Sequence, residues 1–200
     1  MTWQAFLAAI ESCESISLVG PLHGRDHIPT EPTVYVDGGT RFHTPGKTEF
    51  PVVSVGDGDS SAMPVHHRLP AKKDFSDLAF VLRALPSNVV QVNLWGFLGG
   101  RRDHEILGLG EVHSFLKGRS TFARANFDSV ITAIVNGQVT LNIQQRFSLL
   151  VFEPTVIELS GHCEFPFAGK LPSVSTLGLS NEGRGTVHLK TAGPCFLLLS

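Results

Sequence analysis

The chain has 200 residues, of which 42% are hydrophobic, and this is enough for one large domain or two small ones. Its formal net charge is −2. A chain with this charge lacks the positive field that holds nucleic acid, so we expect no nucleic-acid partner.

The termini and the cysteines indicate where the protein works. The N-terminal apolar stretch 1–13 has no cationic lead and is therefore a poor signal peptide. The apolar run 196–199 is far too short to span a bilayer. The three cysteines, Cys13, Cys163 and Cys195, lie far apart and form no CxxC pair, which is typical of reduced thiols. We therefore expect a cytoplasmic enzyme or binding protein with no membrane partner.

Strand and helix patterns alternate up to about residue 125. In chain order they predict a helix at 3–10, strands at 16–19, 33–36 and 52–55, a helix at 75–85, a strand at 89–95 and a helix at 103–117. Asp74 is the expected N-cap of the helix at 75–85, and Pro86 ends it. Alternating strands and helices indicate a mostly parallel sheet with helices on its faces.

After residue 125 the pattern changes to short strands separated by turn residues. Strands at 129–135 and 138–143 flank Asn136-Gly137, which predicts a hairpin. Further strands are predicted at 147–152, 155–159, 186–190 and 195–199. The fold class is therefore α/β plus all-β. We predict a Rossmann-like, mostly parallel α/β domain over residues 1–125, followed by a small β-sandwich over residues 126–200.

Acidic residues follow the predicted strands at the edge where open parallel sheets bind ligands. Six carboxylates fall there, on Asp37, Asp57, Asp59, Asp74, Asp77 and Asp103. Two bare carboxylates about 4 Å apart repel by roughly 4 kcal/mol, so such a cluster needs a cation. Oxygen ligands favour Mg²⁺ over zinc or copper.

Glycines and basic residues accompany the acids. The pairs Gly38-Gly39 and Gly99-Gly100 let backbone amides approach a ligand, and Lys73, Arg101 and Arg102 can meet phosphate charge. This combination is typical of a phosphoryl-type transferase. Taken singly, each Asp-Gly is more often a solvated turn, and Lys72-Lys73 is more often solvated surface. The acids are informative as a set.

Four motifs in this order resemble the thiamine pyrophosphokinase family. They are Asp37-Gly38-Gly39, residues 56–60 (GDGDS), residues 70–77 (PAKKDFSD) and residues 99–104 (GGRRDH). Residues 175–182 (STLGLSNE) also look like the family's C-terminal segment. The resemblance runs from about residue 16 to the end of the chain.

The resemblance implies an enzyme that transfers the pyrophosphoryl group of ATP to the thiamine hydroxyl, giving thiamine diphosphate and AMP. It implies a homodimer with a nucleotide-binding domain and a thiamine-binding sandwich. By motif match, Asp57, Asp59 and Asp77 would hold Mg²⁺, and Asp74 would join them in the catalytic site. The expected nucleotide and phosphate contacts are Asp37, Gly38, Lys73, Arg102, Asp103 and His104. Ser180 and Asn181 would contact thiamine.

Three departures from the family pattern keep other functions open. Gly58 replaces a bulky residue, Gly108 replaces an asparagine, and residues 163–167, with Glu164, replace a KYP-like stretch. One alternative is a pyrophosphokinase that acts on a different, pterin-like alcohol. Another is a non-catalytic protein that binds thiamine or thiamine diphosphate.

Overall fold

The computed structural model describes residues 1–24, 28–46, 48–60 and 64–200. The chain forms two compact units, Met1–Val112 and His113–Ser200. The predicted functional division between residues 125 and 126 stays a prediction. Within the described residues, no helix is both long and apolar enough to cross a membrane.

The first unit is built on a parallel sheet. Its elements are α1 (Trp3–Ala9), β1 (Ser15–Val19), β2 (Thr33–Val36), a 3₁₀ segment (Asp37–Phe42), β3 (Val52–Gly56), β4 (His67–Arg68), α2 (Asp77–Ala84), β5 (Gln91–Trp95) and the first turns of α3 (Arg102–Lys117). The strand order is β5-β1-β2-β3-β4, and each of these pairs is parallel. The predicted parallel pairing is confirmed for these strands, whereas the predicted alternation with helices is not found between β1 and β4 among the described residues.

The two faces of this sheet differ in chemistry. One face carries buried aliphatic side chains from all four long strands: Ile16, Leu18, Val34, Val36, Val53, Val55, Val92 and Leu94. The other face carries polar side chains, including those of Ser15, Ser17, Thr33, Gln91 and Asn93. Parallel sheets are usually covered by helices on both faces. Among the described residues, no α-helix lies in the β1–β2 or the β2–β3 connection.

Glu31 organises the polar face at the start of the strands. Its carboxylate accepts hydrogen bonds from Ser15 Oγ at 2.5 Å and Ser17 Oγ at 2.6 Å, both on β1. It also accepts one from Asn93 Nδ2 on β5 at 2.8 Å. Bonds to an ionised acceptor are the stronger kind. One side chain thus links β1 and β5 on this face of the sheet.

The start of α2 differs from the prediction. The N-cap is Ser76 and not Asp74, because the Ser76 side chain accepts the Ala79 amide at 3.0 Å. Serine and aspartate are comparable caps, so local preference did not separate them. The helix therefore begins at Asp77, and Asp74 lies in the preceding loop.

The second unit holds the end of α3 and antiparallel strands. These are β6 (Ala123–Phe127), β7 (Ile131–Val135), β8 (Gly137–Ile143), β9 (Arg146–Leu150), β10 (Thr155–Cys163), β11 (Phe167–Leu171), β12 (Asn181–Thr191) and β13 (Cys195–Leu199). One run of neighbours is β6-β7-β13-β9, and the other is β11-β10-β12-β8. β12 joins both runs, because its first two residues pair with β9 and later ones with β8 and β10. Buried residues of β7–β13 form one hydrophobic cluster.

The predicted hairpin at Asn136-Gly137 is wrong. β7 pairs with β6 and β13, whereas β8 pairs with β12, so the two strands are not hydrogen-bonded to each other. Asn136 adopts a left-handed conformation (φ 52°) and forms the whole connection. A Cβ at Gly137 would lie 2.4 Å from the Phe122 ring. The Asn-Gly pair here redirects the chain from one run of strands to the other.

Candidate active site

Asp37 lies at the carboxyl end of β2, in a backbone conformation that non-glycine residues seldom adopt. Its φ is 51°, a value that aspartate and asparagine tolerate better than most residues. Its Oδ1 is buried and has no hydrogen-bond partner among the described residues. A Cβ at Gly56 would lie 3.1 Å from the Asp37 Cα, so glycine at the end of β3 permits this close approach. Strain and an unpartnered buried oxygen at a strand end are typical of a functional site.

Asp57 and Asp59 follow β3 and complete a group of three acids with Asp37. One carboxylate oxygen from each lies within 4.8 Å of the others. Asp57 Oδ1 accepts the Asp59 amide at 3.1 Å, and this local bond shapes the loop. Gly58 between them has a φ of 85°, which a bulky residue would adopt only with strain. The structure therefore brings together three oxygens from two neighbouring strand ends.

The pKa values of Asp37 and Asp57 are shifted in opposite directions. Burial raises the pKa of Asp37, and the nearby charges of Asp77, Asp59 and Asp57 raise it further, while the Gly38 amide opposes them. The pKa of Asp57 is lowered, chiefly by the hydrogen bond from the Asp59 backbone and also by the charge of Lys73. Burial and the neighbouring negative charges thus act in the same direction on the pKa of Asp37.

Lys73 and Asp77 form the neighbouring part of the cluster. Lys73 Nζ lies 3.0 Å from Asp77 Oδ1 and 3.9 Å from Asp57 Oδ2, and it donates to the Pro70 carbonyl at 3.1 Å. The Lys73 side chain is only 10% exposed. The ammonium is thus surrounded by protein oxygens and acts as an internal counter-ion. Asp77, predicted as a metal ligand, is paired with this ammonium.

The donor set fits a hard divalent cation. All three close groups are carboxylates, which suits Mg²⁺ and excludes the sulfur-rich and imidazole-rich sites of softer metals. The orphaned Asp37 Oδ1 supplies an acceptor that protein donors leave unused. Asp37, Asp57 and Asp59 are therefore the residues that would hold Mg²⁺.

The Gly99–His104 motif, predicted to contact nucleotide, makes contacts of its own at the start of α3. Arg101 donates to Asp103 through Nε at 3.2 Å and Nη2 at 2.6 Å, and these bonds hold the pKa of Asp103 below its usual value. The Gly99 amide donates to the Glu105 carboxylate. Arg102 opens α3 with an exposed side chain. Arg101 is also exposed but is paired with Asp103, whereas Arg102 makes no ion pair among the described residues and is therefore the guanidinium left open to an anion.

Several predicted residues are not joined to the acidic cluster. Asp74, Arg102 and His104 are exposed, and none makes a side-chain hydrogen bond or ion pair with the cluster within the described part of the chain. Gly38, predicted to contact the nucleotide, accepts a hydrogen bond at its carbonyl oxygen from Arg41 Nε at 2.8 Å. The structure therefore groups Asp37, Asp57, Asp59, Asp77 and Lys73.

One cation near the cluster was missed from the sequence. Arg68 Nε donates to the Asp57 carbonyl at 3.0 Å, and its guanidinium lies beside Gly58. Arg68 lies on the two-residue strand β4, which pairs with the end of β3. A strand this short leaves no periodic pattern, so the sequence offered no indication of it.

In the second unit, the buried side chain of Asn181 holds a neighbouring loop through hydrogen bonds to its backbone. Its Oδ1 accepts the Phe165 amide at 3.1 Å and the Glu182 amide at 2.8 Å, while its Nδ2 donates to the Phe165 carbonyl at 2.7 Å. Ser180 beside it is exposed and has a φ of 60°. The Asn181 amide fixes the loop that carries Phe165, whose side chain is 60% exposed.

Glu164, in the segment that stands in place of the KYP-like stretch, has its own partner. Its carboxylate accepts Arg184 Nη2 at 2.9 Å. This ion pair offsets the negative charge that Glu164 brings to the loop.

Solved structures with this fold include thiamine pyrophosphokinases. The chain is similar to thiamine pyrophosphokinase from Bacillus subtilis (TM-score 0.66, 22% identity, 93% of this chain and 98% of that chain covered). It is also similar to thiamin pyrophosphokinase from Geobacillus thermodenitrificans (TM-score 0.64, 21% identity, 93% of this chain and 97% of that chain covered). A third similar structure is thiamin pyrophosphokinase from Candida albicans (TM-score 0.63, 12% identity, 100% of this chain and 92% of that chain covered). A scan against protein-family models and a search of curated proteins find no match.

These similarities cover nearly the whole of each chain and confirm the predicted resemblance at the level of the fold. The protein is a mixed α/β protein dominated by sheet, with few helices, like those structures.

Proposed function

We propose that the protein is a thiamine pyrophosphokinase, which transfers the pyrophosphoryl group of Mg-ATP to the hydroxyl of thiamine and releases AMP. The observation that carries the proposal is the group of three carboxylates at two adjacent strand ends, with oxygens within 4.8 Å of one another. It occurs in a chain whose fold is shared by thiamine pyrophosphokinases. In the reaction, the thiamine oxygen bonds to the β-phosphorus, the bond from that phosphorus to the α-phosphate oxygen breaks, and AMP departs.

In this proposal, Asp37, Asp57 and Asp59 hold the metal. Bound Mg²⁺ offsets negative charge on the triphosphate during transfer. Lys73 keeps Asp57 and Asp77 in place through the ion pairs at 3.9 and 3.0 Å. Its surroundings support a structural task as a counter-ion more than free contact with phosphate.

Exposed cations and Asp103 bind the nucleotide. Arg102 at the start of α3 and Arg68 beside the Asp57 loop present guanidinium groups that can meet phosphate oxygens. Asp103, oriented by Arg101, and His104 extend this surface. These guanidinium groups would offset part of the charge of the bound triphosphate.

The alcohol proton needs an acceptor. Asp77 is our candidate, because Lys73 fixes its Oδ1 while its Oδ2 lies near Gly56, next to the acidic group. Asp74 is exposed in the loop before α2 and is the second candidate. Either carboxylate would take the proton as the new oxygen–phosphorus bond forms.

Thiamine binds to the second unit in this proposal. Ser180 offers an exposed hydroxyl, and Asn181 holds the Phe165 loop. The proposal includes a Rossmann-like nucleotide-binding domain, a thiamine-binding β-sandwich, a homodimer and a cytoplasmic location. The ion pair of Glu164 with Arg184 weakens the case for a different acceptor, since the added acid is already neutralised.

An acceptor panel tests the proposal. Purified protein with Mg-ATP should release AMP when thiamine is present, and not with a pterin-like alcohol. Asp57→Asn should lower turnover far more than it changes thiamine binding, and Asp128→Asn, in the β6–β7 turn, should leave both unchanged. AMP release with another alcohol alone would replace thiamine as the acceptor. Thiamine binding without AMP release would favour a binding protein.

A further inference from the structure

A polar surface lies on one side of β8, β10 and β12, far along the chain from the acidic cluster. Buried residues alternate with outward ones on these strands, as at Ile157 and Leu159 on β10 or Val187 and Leu189 on β12. The outward residues are mostly hydrophilic and include Gln138, Thr140, Glu158, Ser160, His188 and Lys190, and Val156 near the start of β10 is also exposed there. We call this surface the β12 face.

Strand register arranges these residues in two rows. Lys190 lies opposite Glu158 on β10 and Gln138 on β8. His188, two residues earlier, lies opposite Ser160 and Thr140. His188 Nδ1 is 3.0 Å from Thr140 Oγ1, which fixes the ring and leaves Nε2 for another contact. The two rows are two residues apart along each strand, so their side chains point to the same side of the sheet.

A cavity of about 190 Å³ opens among these side chains, lined by Gln138, Glu158, Ser160, His188 and Lys190. At about 30 Å³ per water in the liquid, this is room for about six waters, or for one molecule of the size of an amino acid. The lining is polar on every strand.

The charges at the cavity are not paired with each other. Glu158 and Lys190 are direct cross-strand neighbours, an arrangement in which opposite charges normally attract. Nevertheless, neither side chain makes an ion pair within 4.0 Å in the described part of the chain, whereas Glu164 and Arg184 in the same unit approach to 2.9 Å. The carboxylate and the ammonium therefore flank the cavity and can each receive a partner from within it.

We propose that the β12 face binds a small zwitterion of the α-amino-acid class. Its carboxylate contacts Lys190 and its ammonium contacts Glu158, while Ser160, His188 and Gln138 donate to or accept from its remaining polar atoms. A simple anion is disfavoured by Glu158, and a simple cation by Lys190. A molecule that carries both charges a few ångströms apart satisfies both side chains. No residue of this face belongs to the proposed catalytic site.

L-serine is the probe, with ethanolamine and 3-hydroxypropionate as analogues that each keep only one of its charges. Binding is followed by NMR through the His188 ring and the Gln138 amide in the full chain. We expect saturable shifts with L-serine at concentrations up to about 50 mM, where a millimolar site is filled. Each analogue should bind at least about tenfold more weakly.

Variants separate this site from non-specific binding. Glu158→Gln and Lys190→Gln should each weaken L-serine binding at least about tenfold, whereas Lys117→Gln, on α3 and outside this face, should not. Dispersed spectra confirm that each variant is folded. Absence of saturable shifts, equal shifts with all three probes, or binding that survives both variants would overturn the proposal. Shifts that grow with protein concentration without ligand would assign the face to contact between copies and would also overturn it.

Discussion

Replacement of Asp37 by asparagine should have opposite effects on the stability of the metal-free protein and on its response to Mg²⁺. Asparagine keeps the shape of the side chain and tolerates the left-handed backbone at this position (φ 51°). The substitution therefore removes one charge from the acidic group with little change in structure.

The geometry sets the magnitude. Two unit charges separated by 4.8 Å repel by about 3.5 kcal/mol at an effective dielectric of about 20. Asp59 is exposed and Lys73 already offsets part of the charge of Asp57, so solvent and the ion pair reduce this value. We expect the free energy of unfolding of Asp37→Asn to rise by about 1–2 kcal/mol in chelator.

The same substitution should weaken Mg²⁺ binding at least about tenfold, because one of three anionic ligands is lost. Urea unfolding followed by tryptophan fluorescence measures both effects, with and without Mg²⁺. Both tryptophans, Trp3 and Trp95, lie in the first unit and report on its unfolding. Asp128→Asn is the matched control, since Asp128 also has a positive φ (44°) and lies outside the acidic group.

A less stable Asp37→Asn protein in chelator, with an unchanged Mg²⁺ response, would refute this reasoning. It would mean that Asp37 stabilises the fold and holds no metal. An unchanged stability with a weaker Mg²⁺ response would refute only the estimate of repulsion.

Three other predictions follow from the structure. In steady-state assays, Asn181→Ala should raise the KM for thiamine about tenfold and leave the KM for ATP unchanged, because Asn181 holds the Phe165 loop. Asn142→Ala, at an exposed position, is the control. A change in both KM values would contradict this role of Asn181. Glu31→Ala should lower the free energy of unfolding in urea by about 3 kcal/mol, since three donors lose one acceptor, and a loss below about 1 kcal/mol would contradict this. Burial lowers the pKa of His113, so as the pH drops below 6.5 this histidine takes up a proton in the unfolded chain before it does so in the folded protein, and the free energy of unfolding falls. In unfolding curves measured over this pH range, His113→Leu should flatten the fall, whereas His162→Gln should not.

Much of the first unit could be predicted from sequence because its strands are short, buried and followed by glycine. Short apolar strand patterns and the aspartates that directly follow β2 and β3 were sufficient to predict the parallel pairing and the approach of Asp57 to Asp37. The pairing of Asp77 with Lys73 could not be predicted, because the direction of a long lysine side chain depends on the packed loop around it. The strand that carries Arg68 could not be predicted, because two residues are too few to show an alternating pattern.

The second unit was harder because antiparallel strands can pair in many ways. The sequence located most strands, yet β6 and β11 were missed, and the Asn136-Gly137 connection joins strands that pair with different neighbours. The preference of Asn-Gly for a tight turn does not determine which strands pair with the two strands that it connects. The clamp of Asn181 on Phe165 depends on a contact across 16 residues, which no local pattern reveals.

The most direct test of the proposed function is the product balance of one reaction. Phosphorus NMR of wild-type protein with thiamine and Mg-ATP should show thiamine diphosphate and AMP appearing in equal amounts, with neither product formed by Asp57→Asn. Folded protein that binds Mg²⁺ and ATP yet forms no thiamine diphosphate would contradict the account.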